Sequence, residues 1–224
     1  MLPDISKLSI HDSAEPTRRF RCKKRQQLQL CCPQLMFYVF CKKRECVEWE
    51  QLLTLCDSCL HKLTTADLVD ESGNTVFHVL LGWGTRPIDD DAICLQTIKR
   101  LLQDGGPAFA QVIGLPDRLG RTPLHLAAKN KFRETMKFML VRCRDSWQEP
   151  LGGLAANGSS ALHTLLDALK EGEPSEDFHE VIELMLSQCR DLLWVGDKHG
   201  RTPLHIAAQN HQDAVASYLL QFYR

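Results

Sequence analysis

Four times along this chain a glycine is followed five residues later by a histidine: Gly73 and His78, Gly120 and His125, Gly158 and His163, Gly200 and His205. The segments read GNTVFHVLL, GRTPLHLAA, GSSALHTLL and GRTPLHIAA. A unit this short cannot bury its own apolar face, so recurrence at one offset requires copies that stack into a continuous core. The histidines fall 47, 38 and 42 residues apart, and unequal spacings in a stacked array mean insertions. Turn-forming residues place these at GWGTRPIDDD in the first copy, PAFAQVIGL after it, DSWQEPLGG after the second and KEGEPSED within the third. All four are expected as surface loops.

The recurring segment has a direct physical reading. Thr122 and Thr202 precede Pro123 and Pro203, and a hydroxyl at the N-cap with proline at the first helical position is a strong helix start, the cap contributing about 1 kcal/mol. Thr75 and Ser160 supply the hydroxyl in the other two copies. The preceding glycine suits a turn that needs positive φ. After the cap, Leu124, Leu126, Ala127 and Ala128 form a short apolar helix whose small residues allow close packing. A second helix is expected around Phe132, Met136, Phe138, Met139 and Leu140, with counterparts at Ile93 to Leu102, Val181 to Cys189 and Ala214 to Phe222. Leu35 to Phe40 followed by Val47 to Leu63 repeats the layout in degenerate form and is expected to cap the stack. At the other end Tyr218, Phe222 and Tyr223 are candidates for a contact surface.

These segments resemble the ankyrin repeat, whose signature is T-P-L-H-x-A and whose period is about 33 residues. The second and fourth copies match the signature in full. The resemblance implies an all-α fold, an ankyrin-repeat solenoid of stacked helix-turn-helix units with short turn or hairpin tips and long inserted loops. It divides the chain into a basic arm at 1–30 and a repeat domain at 31–224, with a capping repeat at about 31–66 and repeats at about 67–116, 117–154, 155–196 and 197–224. Such repeats recognise proteins through turn tips and first-helix positions on a concave face. By position the resemblance points to Glu71, Ser72, Asn74 and Trp83 in the first copy, and to Arg118, Arg121, Lys129 and Asn130 in the second. In the third it points to Asn157, Ser159 and Asp167, and in the fourth to Lys198, His199, Arg201, Gln209 and Asn210. Trp83 is the candidate anchor, because binding hot spots favour tryptophan, tyrosine and arginine. Thr75, His78, Thr122, His125, Ser160, His163, Thr202 and His205 are the structural motif.

Other chemistries have less behind them. The four histidines sit in different repeats and cannot converge on one ion; an imidazole tying the capped turn to neighbouring backbone is the expected role. Cys41, Cys46, Cys56, Cys59 and His61 have a zinc-like spacing, yet Cys56 and Cys59 also fall on one face of an amphipathic helix with Leu52, Leu60 and Leu63, and core packing is favoured. Asp89, Asp90 and Asp91 read as a charged loop ending at a helix start. No phosphate-binding loop, nucleophile elbow, zinc-protease or dinucleotide fingerprint occurs, so no enzyme, cofactor or metal is expected.

Arg18 to Arg25, RRFRCKKR, places six positive charges in eight residues. That run suits a nuclear import signal, a patch for an acidic partner, or a solvated arm. The first 50 residues hold ten Lys and Arg against six Asp and Glu, while the formal net charge of the whole is -1; general attraction to nucleic acid or membrane is not implied. Met1 to Glu15 lack a signal peptide's pattern, and the apolar stretch Leu28 to Cys41 is shorter than the roughly 20 residues of a bilayer span. The ten cysteines are therefore expected reduced, in cytosol or nucleus, where the sequon at Asn157 is idle.

The expected function is a non-enzymatic scaffold or adaptor that binds another protein and no small-molecule substrate. A small chain of irregular ankyrin repeats also resembles the inhibitor-of-NF-κB group, which implies a Rel-type transcription factor as partner. Asp12-Ser13-Ala14 lacks the glycine of that group's D-S-G-x-x-S degron, so regulated degradation is not implied. The alternatives are the ankyrin portion of a larger enzyme or channel, and a zinc-supported cysteine-rich N-terminal module presented by the repeats.

Overall fold

The computed structural model describes residues 64–70, 72–82, 91–142, 153–169 and 175–223. The expected basic arm and almost all of the expected capping repeat lie outside the described residues. Nine α-helices follow in order among those described: α1 Val76–Gly82, α2 Asp91–Asp104, α3 Pro107–Val112, α4 Pro123–Lys129, α5 Arg133–Arg142, α6 Ala161–Ala168, α7 His179–Gln188, α8 Pro203–Gln209 and α9 Asp213–Leu220. Short 3-10 turns occupy Thr65–Leu68, Ser175–Phe178, Arg190–Leu193 and Gln221–Tyr223. The described residues contain no strand, only an isolated antiparallel bridge between Val69 and Thr75.

The helices stack in two rows. The first helix of each unit packs on the next, α1 on α4, α4 on α6 and α6 on α8, while behind them α2 packs on α5 and α5 on α7. α4 shows why the first row stacks closely: Pro123, Leu124, His125, Leu126, Ala127 and Ala128 are all buried. A short helix with alanine on the contact side lets a neighbour approach from both directions, and its stability comes from that packing rather than from its own turns. In the second row the apolar stripe is narrower, as with Val181, Ile182, Met185 and Leu186 of α7, and the outer side is charged.

The insertion after the first unit departs from its expected loop. Residues 107–112 form α3, with Ala108, Phe109, Val112 and neighbouring Ile113 buried. These apolar positions recur at helical spacing and Pro107 stands at the start of the helix, so a stripe sufficient for burial was present in the run. α3 packs against the turn Thr65–Leu68, and the Phe109 ring meets Phe77 of α1 edge to face at 6.3 Å, an arrangement that adds to the area buried. Of the insertion within the third copy, 175–177 belong to the 3-10 turn Ser175–Phe178 that leads into α7.

Asp91 is the first residue of α2 and caps another helix. Its carboxylate accepts the backbone N–H of Glu134 at 2.6 Å and of Thr135 at 3.0 Å, and the Thr135 hydroxyl donates to the Asp91 carbonyl. These are N–H groups in the first turn of α5, which an α-helix leaves without internal partners. Asp91 thus stands at the helix start expected for the charged run and in addition caps the neighbouring repeat; Asp89 and Asp90 lie outside the described residues.

The aromatic residues in and just after α9 also turn inward. Tyr218 stacks on His179 with centroids 4.3 Å apart, Phe222 meets Tyr218 edge to face, and the Tyr223 hydroxyl donates to the Leu193 carbonyl at 2.8 Å. All three are half-buried and packed against the core, so each has an inward role besides the contact surface expected of it.

If α3 is an integral part of the stack, Phe109→Ala will lower stability by about 3–5 kcal/mol, as for other buried phenylalanines. Urea denaturation checks this, and a change within about 0.5 kcal/mol, the range of a surface site, would return 107–115 to the status of a loop.

Candidate protein-interaction surface

Each unit presents the same turn ahead of its first helix. In all four the residue that opens the turn, Asp70, Asp117, Ala155 or Asp197, donates its N–H to the carbonyl four residues on and accepts from the glycine N–H three residues on, at 2.8 to 3.0 Å. In three of them the opening aspartate adds its side chain. Asp117 Oδ1 accepts from the Leu119 and Arg121 N–H groups, and Asp197 Oδ1 accepts from those of His199 and Arg201. Oδ2 of each then takes two bonds from the guanidinium of Arg121 or Arg201, at 2.7 and 2.9 Å. Burial raises the carboxyl pKa of Asp117 and Asp197, but the bonds from Arg121 and Arg201 and from backbone N–H groups outweigh it and hold both below the usual range.

Neighbouring turns are joined backbone to backbone. The Ala156 N–H donates to the Leu119 carbonyl at 2.7 Å and the Lys198 N–H to the Asn157 carbonyl at 2.8 Å. Glycine is required where turns meet: Gly158 has φ +72°, and a Cβ there would lie 2.9 Å from the Lys198 nitrogen. Gly200 has the same φ of +73° with nothing within 4 Å.

The histidines supply the second tie. Nδ1 of His78, His125 and His163 accepts the backbone N–H of Thr75, Thr122 and Ser160 at 3.0, 3.1 and 3.3 Å. Nε2 reaches across to the next unit, to the carbonyls of Arg121 at 2.7 Å, Ser159 at 3.2 Å and Arg201 at 3.0 Å. A ring that accepts at Nδ1 and donates at Nε2 is the neutral Nε2–H tautomer. Burial disfavours the charged form and lowers the pKa of all three, that of His125 to about 4. His205 keeps the cap to Thr202 but its side is exposed.

With this frame in place the expected contact residues separate into two groups. Ser72, Arg118, Lys129, Asn157, Asp167, Lys198, His199 and Gln209 are exposed. Arg121 and Arg201 are half-buried and held by Asp117 and Asp197, Arg201 also donating to Gln209 Oε1. Four others are corrected. Ser159 is 5% exposed, because its carbonyl and N–H both serve the turn and the His125 clasp. Asn130 and Asn210 are half-buried and donate to the Leu81 and Leu166 carbonyls of the preceding unit's first helix, so they tie repeats together. Asn74 is bound to Asp70 Oδ2 and braces its own turn. Glu71 and Trp83 lie outside the described residues, as do Cys41, Cys46, Cys56, Cys59, His61 and the basic run.

Among the exposed apolar side chains that sequence reasoning missed, three lie at or beside turns. Trp194, 63% exposed, follows the turn Arg190–Leu193 and meets the Tyr223 ring edge to face. Leu119 and Leu154 are 53% and 48% exposed on adjoining turns. For Leu119 the signal was an apolar residue at a turn position held by Ser72, Asn157 and His199 in the other copies.

A family model described as ankyrin repeat matches residues 119–145 and 199–223. The chain carries ankyrin repeats. The matched residues are the second and fourth units; the first and third units have the same turn closure as both and the same histidine bridge as the second, although their sequences depart from the signature. Ankyrin repeats are protein-interaction modules. Among the described residues no group of His, Cys, Asp and Glu could hold a metal ion, and no helix is long and apolar enough to cross a membrane.

Two outcomes test this frame. The buried histidines are neutral in the fold and titrate near 6.5 when unfolded, so their lowered pKa values make stability complete above about pH 6.5 and lost as pH falls through the folded values. For His125 alone, a shift to about 4 corresponds to about 3 kcal/mol; urea midpoints should fall between pH 6.5 and pH 4, and less steeply in His125→Gln. In the ankyrin turns, Gly158→Ala and Gly200→Ala share the cost of positive φ, about 1–2 kcal/mol, but only the first meets a neighbouring turn. Thermal unfolding should show Gly158→Ala the more damaging; equal losses would mean that the turns do not depend on their stacking.

Proposed function

We propose that this chain is a non-enzymatic scaffold or adaptor, acting in cytosol or nucleus, that holds a protein partner along the turn edge and the exposed side of the first-helix row. The observation that carries this reading is the division of labour within each unit. Asp117, Asp197, His78, His125, His163, Asn130 and Asn210 satisfy the frame's internal bonds, while Lys129, Asp167, Lys198 and Gln209 stand exposed on the same rows. A surface whose scaffold is satisfied from within can vary its outward side chains without loss of fold, which suits recognition of another polypeptide.

The finer reading is that the partner is a Rel-type transcription factor and that the chain masks it. It rests on architecture, irregularly spaced ankyrin repeats similar to the inhibitor-of-NF-κB group, and fold alone does not assign a client.

Affinity capture with mass spectrometry should return one or a few proteins for the intact chain and lose them from a folded variant carrying Lys129→Glu, Asp167→Lys and Gln209→Ala. Replacing a central contact costs about 2 kcal/mol or more, enough to remove a partner from the capture. An unchanged set in the variant, with circular dichroism intact, would move recognition away from the first-helix row. A purified Rel-type dimer added to the chain should bind and be released from DNA on the Rel reading; no binding removes that reading and leaves the scaffold one.

A further inference from the structure

The first three units are covered on the side that faces the next unit, and the fourth is open there. In the second unit the covered positions of the first helix are Thr122, Leu124, His125 and Ala128. They and their counterparts in the first and third units are at most 2% exposed. In the fourth unit Thr202 and Leu204 are half-buried, and His205 and Ala208 are exposed. The second row repeats the difference. The Phe132 N–H donates to the Ala127 carbonyl and the Gln212 N–H to the Ala207 carbonyl, which aligns α5 with α9. Met136 and Leu140 of α5 are fully buried; at the matching places of α9, Ala216 is half-buried and Leu220 is 50% exposed.

The bonds that hold a next unit are also unused on this face. His205 Nδ1 accepts the Thr202 N–H at 3.2 Å, so Nε2 carries the ring hydrogen and has no acceptor among the described residues, where the other three rings each reach a carbonyl. The Leu119 and Asn157 carbonyls accept from the N–H groups of the following turn; the His199 carbonyl, at the same turn position, accepts from no described residue. Beside it a Cβ on Gly200 would meet nothing within 4 Å. Both rows thus end in apolar, uncharged side chains with one spare donor and one spare acceptor.

In every interface within the chain this side is covered by another unit of the same chain, so its shape already suits a unit of this kind. The opposite end is closed to such a contact. The positions of the fourth unit that face backward, Pro203, Ile206 and Ala207, correspond in the first to Val76, Val79 and Leu80, and Val76 and Leu80 are 1% and 2% exposed. A second copy can therefore add only like face to like face. Such a contact must be complementary to itself, and an uncharged patch that carries both a donor and an acceptor meets that condition without setting like charges against each other.

We propose that two copies of this chain pair end to end through α8 and α9 of the fourth unit, each covering Leu204, Ala208 and Leu220 of the other and offering it the His205 Nε2–H as donor and the His199 carbonyl as acceptor. A contact between like faces uses the face on both copies, so assembly closes at two and forms no filament. The pairing goes beyond the scaffold reading and does not depend on which client is bound.

Sedimentation velocity of the purified chain tests it. The mass should rise from the 25.5 kDa of one chain toward twice that value as concentration is raised from about 1 to about 100 μM. Ala208→Glu with Leu220→Glu sets like charges against each other across the pair and should weaken association at least about tenfold. Both positions are exposed, and circular dichroism verifies folding. Leu119→Glu, on the exposed turn edge, should leave association unchanged. A single species of one-chain mass throughout, association of unchanged strength in the folded double variant, or species that keep growing beyond two copies would each overturn the proposal.

Discussion

The interaction on which the stack depends is the buried neutral imidazole shared by two repeats. One nitrogen accepts from the capped turn at the start of its own helix, and the other donates to the carbonyl just before the cap of the next unit. Each ring thus fixes a helix start and a repeat interface together. It can do so only as the neutral tautomer, because a protonated Nδ1 would face a backbone N–H donor. Burial enforces that state, so the groups that hold the repeats together are also the ones most exposed to acid. The backbone bonds between turns and the amides of Asn130 and Asn210 act across the same interfaces, and a change in one tie is expected to alter the others.

Irregular spacing is tolerated because ties of this kind are local to each interface. The segment between the first and second units folds as α3 and buries Phe109 against Phe77, adding core rather than interrupting it. In the outer row the link is made differently, by the Asp91 carboxylate on the N-terminus of α5 and by Gln188 donating to the Leu140 carbonyl. Side chains that reach to a neighbour's backbone do not depend on the neighbour's sequence. That explains how units as unlike as GNTVFHVLL and GRTPLHIAA share one geometry.

Much of this could be read from sequence because it is written in residues with narrow conformational roles. Gly158, Thr122, Pro123 and His125 each admit few alternatives, and together they specify turn, cap, helix start and bridge. The second helices were legible from their apolar spacing. α3 was not, because turn-forming residues around it outweighed the stripe Ala108, Phe109, Val112 and Ile113. The contact residues were the least legible. Asn130 and Asn210 look in sequence like polar helix-end residues available to a partner, but in space they find the carbonyls of Leu81 and Leu166. Ser159 looks like an exposed turn serine and is buried where two turns meet. Whether a polar side chain faces outward or ties two repeats depends on the neighbour's backbone, which a single repeat's sequence does not contain.

The same distinction explains where recognition can reside. A residue that ties repeats cannot be exchanged without loosening an interface, so it is poorly placed to encode a partner. Arg121 and Arg201 show the point for charge: both are cationic, yet each is spent on a buried aspartate of its own turn, and their net field outward is small. Lys129 and Lys198 carry no such internal pairing among the described residues, and Leu119 and Leu154 contribute apolar area that the stack does not use. The information that distinguishes this chain from another ankyrin array therefore sits in the few outward positions where its repeats differ from one another, while the positions where they agree build the frame.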